Sequence, residues 1–386
     1  MVCVMDGASS NPSRARSASI PLRTLGPRPP SNTNSKARRF SSLRSTKEPY
    51  TLGKTPTVGQ WIKLTWLDIL TMLIVGALVF PTYYYALPLG TRVFPLDTHN
   101  YHDDPASAIN PNLLYPLRPQ TVNNWVIALV AISVPIIVIL LMQFRLRSFW
   151  DLNNGLLGFA YALLASAAFQ GTTKAFVGGL RPNFYDVCQA NPAHAMGQGN
   201  KTGWNGIGSR GDMWSKDVCT TADGSKLRNA MQAFPSGHST TMVASMLYLS
   251  LYLNAKLKVF ADYHTPLWKL IVILIPLLGA VLLCGTLIID NTHSWYDIAA
   301  GATIGALVAL AAFRMVYAGV FDWRVNHIPL CRNVPFNGRP RPDLVATGRA
   351  GWRETVEGDG GNAMRTPSAG GHGHEVEDGD QGRDAL

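Results

Sequence analysis

An all-α, six-transmembrane helical bundle is the fold class this sequence predicts, on three observations. Of 386 residues, 47% are hydrophobic and only 15% are charged. The apolar residues fall in long blocks rather than in the 3.6-residue alternation of a half-buried soluble helix. The basic residues behind the formal net charge of +10 crowd ahead of the first block, as a cytosolic flank of a membrane protein does.

Residues 1–63 read as a disordered basic tail. Arg14, Arg16, Arg23, Arg28, Lys36, Arg38, Arg39, Arg44, Lys47 and Lys54 face only Asp6 and Glu48, among many Ser, Pro and Asn. Such a composition buries too little apolar surface to fold. No aromatic interleaving or helical spacing supports base recognition, so the expected partner of this charge is an anionic membrane surface and not nucleic acid. With no early apolar stretch of the signal-peptide kind, the first span acts as the insertion signal.

A span needs roughly 20 apolar residues. The first runs over 64–85, with Asp68 near its start, where it reaches headgroup water, and a tyrosine cluster at its end placed like an interfacial belt. The second covers 125–144 and is closed by Arg145 and Arg147; the third covers 156–173 and is closed by Lys174. A polar stretch over 174–234 precedes the fourth span, which reaches membrane-crossing length when counted from Gly237 to Lys256. The fifth and sixth cover 267–288 and 295–320. Six crossings place both termini on one side. The basic arm, the Arg145/Arg147 turn and Lys256, Lys258 and Lys269 all fall on that side, which is therefore cytosolic.

The other side carries the loop over 88–124, where Arg92 and Arg118 are outnumbered by Asp97, Asp103 and Asp104. It also carries the long third-to-fourth loop, with the glycosylation sequon Asn200-Lys201-Thr202. Cys188 and Cys219 share that loop, as a disulfide in an oxidising compartment or as two free thiols. Residues 331–386 form a second disordered cytosolic tail, and its GGHGHEVEDGD run reads as solvated rather than metal-binding. The expected location is a multi-pass position in an endomembrane or the plasma membrane.

Three segments meet at the outer face in this topology. Lys174 and Arg181-Pro182 follow span three; Pro235-Ser236-Gly237-His238 opens span four; His293 and Asp297 open span six. Lys174 and Arg181 are cations suited to phosphate oxygens, Arg as a planar fork and Lys as a point charge. The backbone N–H groups of Ser236, Gly237 and His238 lie at a helix N-terminus, where the dipole favours an anion. His293 and Asp297 are four residues apart and share a helical face, so the carboxylate can fix the imidazole tautomer that exposes the other nitrogen.

Taken together, K-x6-RP, PSGH and H-x3-D in this order resemble the type 2 phosphatidic acid phosphatase superfamily, specifically its integral lipid phosphate phosphatases. The resemblance covers residues 64–330 as one domain. It implies an all-helical core that dephosphorylates lipid phosphates through a phosphohistidine, with no required metal or other cofactor. His293 is then the nucleophile, Asp297 its orienting partner, and His238 the acid that protonates the leaving alkoxide and later the base that activates water. Lys174, Arg181, Ser236 and Gly237 bind the phosphate, and the partners are a lipid phosphate and the surrounding membrane lipids.

One position departs from the pattern. Thr286-Leu287 stand where the family has Ser-Arg, so a phosphate-contacting arginine is missing. Loss of one such preorganised donor costs about 2.7 to 4 kcal/mol, roughly 100- to 1000-fold in rate. Lys201, Arg210, Lys216, Lys226 and Arg228 in the outer loop are the available replacements. The reading is a hydrolase acting on phosphatidate, lysophosphatidate, diacylglycerol pyrophosphate or a sphingoid-base phosphate. The alternative is a catalytically impaired lipid-phosphate-binding membrane protein. A transporter is disfavoured by the lack of an inverted repeat or a midplane ionisable cluster.

Overall fold

The structure is a computed structural model that describes residues 55–85, 92–96, 110–195, 202–208, 211–262 and 264–332. The basic arm up to residue 54, Asn200 and the tail from residue 333 lie outside the described residues. In chain order the elements are α1 (Val58–Tyr85), β1 (Phe94–Pro95), α2 (Asn124–Leu146), α3 (Phe149–Val177), α4 (Phe184–Cys188), α5 (Pro192–Ala195), β2 (Met213–Trp214), α6 (Gly224–Ala230), α7 (Gly237–Leu257), α8 (Leu267–Ile289) and α9 (Trp295–Val316). The only strands among the described residues, β1 and β2, form a short antiparallel pair with Phe94 opposite Trp214 and Pro95 opposite Met213.

Five helices, α1, α2, α3, α8 and α9, are long and apolar enough to cross a membrane. The fourth expected span, α7, is not among them, because it is the hub of the bundle. α2, α3, α8 and α9 all pack against it, and it buries Ser239, Thr240, Ser245, Ser250 and Asn254 along with its apolar residues. A helix shielded from lipid by other helices can carry hydroxyls, provided each finds a partner. Ser239 Oγ donates to the Ile298 carbonyl of α9 (2.8 Å), Ser245 Oγ to Ala131 of α2 (2.5 Å) and Ser250 Oγ to Ile273 of α8 (2.9 Å). Hydroxyls thereby bond α7 to three neighbours.

The closest of these contacts is a seam of small residues. Gly301, Gly305 and Ala309 recur every fourth position along the buried face of α9. A Cβ on Gly301 would sit 2.6 Å from the Ser236 carbonyl oxygen, and one on Gly305 2.4 Å from that of Thr240. The two backbones meet because neither glycine has a side chain. That approach brings the start of α9, with His293 and Asp297, against the start of α7, with Ser236 and His238. Gly305→Leu is expected to force the helices apart at a cost of about 1 to 3 kcal/mol or more. A clear fall in melting temperature in detergent tests this, beside Gly279→Leu on α8, whose Cβ would meet nothing within 4 Å.

α1 begins at Val58, ahead of the expected apolar run, and packs on α3 alone among the described helices with extensive contacts. Asp68, expected to reach headgroup water, instead accepts a hydrogen bond from Tyr161 (2.7 Å) and pairs with Arg332. α3 begins well before its apolar run, because Ser148 caps it by accepting from the Asp151 N–H.

The long third-to-fourth loop shares a core with the segment between α1 and α2. Phe94, Leu96, Phe184, Tyr185, Val187, Trp214, Val218, Ala230 and Met231 form a buried cluster separate from the bundle core. Cys188 and Cys219 are joined by a disulfide inside it. This loop lies over the end of the bundle where α3 finishes and α7 and α9 begin.

Candidate active site

Lys174 lies in the last turn of α3, which Gly178 ends with a positive φ of 63 that favours glycine. The strap that follows runs beside the segment leading into α7. Gly179 N–H donates to the Met231 carbonyl (3.0 Å), Arg181 N–H to Ala230 (2.9 Å), and Ala233 N–H returns to Gly179 (3.0 Å). Gly179 adopts φ 139, and a Cβ there would crowd the Phe234 nitrogen at 3.1 Å. The two glycines between Lys174 and Arg181 thus let the strap turn and approach, which sets Arg181 beside PSGH.

Both cations are buried. Lys174 Nζ donates to the Gln232 carbonyl (3.2 Å). Arg181 is held on three sides: Nε donates to the Asn229 carbonyl (2.8 Å), Nη2 to Asn229 Oδ1 (2.8 Å) and Nη1 to the Thr292 carbonyl (3.3 Å). A guanidinium fixed this way presents a preorganised charge to the space in front of it.

At the start of α7 the expected cradle needs a correction. Ser236 is fully buried, and its N–H donates to the Asp297 carbonyl (3.0 Å), so this amide ties α7 to α9 instead of facing an anion. The Ser236 side chain caps α7 by accepting from the Ser239 N–H (3.4 Å). Gly237 is packed so closely by Gln170 of α3 that a Cβ would lie 2.6 Å from Gln170 Oε1. Gln170 is a residue that motif spacing missed: it lies one turn before Lys174 on α3 and is buried, with Oε1 lacking a hydrogen-bond partner. Its signal in the sequence was a lone amide in an otherwise apolar run.

His293 and Asp297 are both buried, with Nδ1 of the ring 3.7 Å from Asp297 Oδ2. That is ion-pair range and beyond a hydrogen bond. Asp297 Oδ2 accepts instead from the Ser294 N–H (3.0 Å), completing a capping box at the start of α9. Neither His293 nitrogen makes a well-formed hydrogen bond. Burial, then the charges of Arg181 and Lys174, hold the His293 pKa well below 6.5, against a weak opposing effect from the Ala233 backbone. At neutral pH the ring is neutral, the form that can attack phosphorus.

Lys174, Arg181, His238 and His293 line a single cavity of about 400 Å³. Leu287, Thr292 and Gln232 complete its inner wall. Gln120 and Asn124, from the segment entering α2, form part of its wall, with Lys226 and Arg228 from α6. That segment is anchored to the α8 end, where Asp290 accepts from Thr121 N–H (2.9 Å) and Thr121 Oγ1 (2.5 Å). Gln120 and Asn124 were not singled out from sequence, since polar residues before a span carry no distinguishing pattern. Among the described residues no three His, Cys, Asp or Glu side chains are grouped to hold a metal ion.

Five helices long and apolar enough to cross a membrane, and a cavity at one end lined by two buried cations and two histidines, define a polytopic membrane protein with a positively charged pocket. Comparison with known sequences identifies the class further. The PAP2 superfamily pattern matches residues 155–320. Lipid phosphate phosphatase 2 of Arabidopsis thaliana is 30% identical over 211 residues, covering 55% of this chain and 67% of the relative. A PA-phosphatase related-family protein of Dictyostelium discoideum is 29% identical over 266 residues, 69% of this chain and 72% of the relative. Diacylglycerol pyrophosphate phosphatase 1 of Saccharomyces cerevisiae is 27% identical over 260 residues, 66% of this chain and 80% of the relative. No solved structure matches. The chain belongs to the PAP2 superfamily, the type 2 phosphatidic acid phosphatases. Its relatives support a phosphatase of lipid phosphates, carried by a multi-pass membrane protein.

Proposed function

We propose that the protein hydrolyses lipid phosphates by a phosphohistidine route. The carrying observation is that Lys174, Arg181, His238 and His293, taken from three separate helix ends, line one cavity. Lys174 and Arg181 hold the nonbridging oxygens, and the amides of Gly237 and His238 add to the cradle. The neutral His293 ring attacks phosphorus; the bond to the lipid oxygen breaks, and His238, entering the step as the imidazolium that the negative charge of the bound phosphate favours, gives that oxygen its proton. Water then attacks the phosphohistidine as His238 takes a proton from it, releasing inorganic phosphate and restoring both histidines. Asp297, 3.7 Å from the ring, stabilises the positive charge that develops on His293.

The proposed topology has six crossings, α7 being the fourth in chain order and joining the five long apolar helices. Its 21 residues span about 30 Å at 1.5 Å per residue, the thickness of the hydrocarbon core. Both termini then face the cytosol. The basic arm supports this, as does a disulfide in the loop over the site, since such bonds persist on the lumenal or extracellular side. Asn200 lies in the same loop and is the proposed glycosylation site.

The test is phosphate release by the purified full-length protein in detergent. The panel is phosphatidate, lysophosphatidate, diacylglycerol pyrophosphate and a sphingoid-base phosphate. Release from at least one, unchanged by EDTA and accompanied by acid-labile phosphate trapped on His293, is the expected result. No release from any of the four overturns the reading.

A further inference from the structure

Leu287 occupies the position of the missing arginine and lines the cavity from the end of α8. It is buried, and its carbonyl accepts from the Thr292 and His293 N–H groups at 3.1 and 3.3 Å. The backbone that would present an arginine is therefore in place, while the side chain supplies only apolar surface. Another wall of the same cavity is α6, which contributes Lys226 and Arg228.

α6 is a fixed element. Asp223 caps it by accepting from the Ser225 and Lys226 N–H groups (3.1 and 3.0 Å), and Ala230 and Met231 are buried in the loop core that holds the Cys188–Cys219 disulfide. Asn229 supplies both oxygens that hold the Arg181 Nε and Nη2 atoms. Arg228 is thus one residue from the clamp on Arg181. The two α6 cations differ in burial: Lys226 is exposed, whereas Arg228 is half-buried.

We propose that Arg228 is a phosphate-binding residue of this chain, supplying from α6 the guanidinium that Leu287 no longer supplies from α8. The assignment rests on the reading of the cavity as a lipid phosphate site. Arg228 engages two nonbridging oxygens as a planar fork while Arg181 and Lys174 hold the phosphate from the α3 side. The cation has moved from a membrane helix to the outer loop, and the loop core and disulfide hold it in position.

The experiment uses full-length protein in detergent, with dioctanoyl phosphatidate in mixed micelles for turnover. Orthovanadate, a phosphate mimic, is the binding probe, read by thermal stabilisation. Arg228→Ala is expected to lower kcat/KM by about 100- to 1000-fold and to weaken orthovanadate binding by about 10-fold or more. Arg228→Lys retains an intermediate activity, and Leu287→Arg placed in the Arg228→Ala background restores about 10-fold or more of the loss. Lys216→Ala, in the same loop and away from the cavity lining, leaves both readouts unchanged. Arg228→Ala within about 3-fold of the parent in both readouts overturns the proposal, as does a lowered melting temperature with unchanged orthovanadate affinity. If Arg228→Ala does not fold, Arg228→Gln, which keeps length and polarity, is measured against the same limits. A parent protein that releases no phosphate from any lipid defeats the proposed function, and the orthovanadate series still decides Arg228.

Discussion

His293→Ala is expected to reduce phosphate release by about 10⁴-fold or more, since the proposed route forms its covalent intermediate on this ring and gives His238 the separate work of acid and base. Orthovanadate binding is expected to persist, because Lys174 and Arg181 remain. The melting temperature of the variant is measured beside its activity, because the buried ring also contacts Asp297 at 3.7 Å. Asp297→Asn affects both function and fold, since Asp297 also caps α9 through Ser294. The pH dependence follows from the lowered His293 pKa. Its neutral form survives well below 6.5, so the acid limb of kcat/KM for the free enzyme lies below 6.5 as far as His293 sets it. The sign for stability agrees: the unfolded chain takes up this proton near 6.5 and the folded chain does not. The contribution is fully present above 6.5 and is lost as pH falls toward the lowered folded value. An acid limb centred at 6.5 or above, assigned to His293 by its loss in a burst-phase measurement of phosphoenzyme, contradicts this.

The motifs were legible because each sits at or beside a helix end, where chain order and the expected alternation of spans predict which ends share a face. Lys174, Arg181, His238 and His293 meet in one cavity for that reason. α7 was expected as a span yet falls outside the helices apolar enough to cross a membrane, because hydropathy measures contact with lipid and α7 is surrounded by other helices. Its buried serines are a sign of that enclosure. The Ser236 amide was misjudged because a free N-terminal N–H is a local rule, whereas its bond to the Asp297 carbonyl depends on the glycine seam bringing α9 within reach. The loop core was also invisible: Phe94 and Trp214 pair across more than a hundred residues, and no local period records such a contact. Leu287 announced a missing charge, but only the folding of α6 over the cavity nominates a replacement.

Asp151→Ala is expected to destabilise the fold by about 3 to 5 kcal/mol, the cost of leaving a buried charge without its partner. Asp151 lies at the start of α3, Lys256 near the end of α7 and Tyr317 at the end of α9, so this cluster sits at the end of the bundle opposite the cavity. Asp151 is buried and pairs with the buried Lys256. Its Oδ2 also accepts from Tyr252 OH (2.9 Å) and Gln143 Nε2 (3.2 Å), and its Oδ1 from Tyr317 OH (3.1 Å). Lys256 donates as well to the His327 carbonyl (3.0 Å), and Lys258 Nζ meets Asn326 Oδ1 at 2.9 Å and His327 Nδ1 at 2.5 Å. Burial, then the neighbouring charge of Lys256, pushes Lys258 down to about 7; burial, then Lys258 and Lys256, pushes His327 down to about 2. Both shifts record the cost of adding positive charge beside Lys256, which leaves the His327 ring neutral, and the Asp151 carboxylate is the counter-charge that Lys256 meets in this cluster. Asp151→Asn keeps hydrogen-bonding capacity but loses the charge, and is expected to fall between the parent and Asp151→Ala. The double substitution Asp151→Leu, Lys256→Met removes both charges and is expected to recover much of the loss, since a buried pair exchanged for apolar packing is often neutral. Melting temperatures of the single and double variants in one detergent form the cycle. Equal, additive losses from the two sites contradict a coupled pair, and orthovanadate binding unchanged in every variant that folds confirms that this end of the bundle acts on stability and not on the phosphate site.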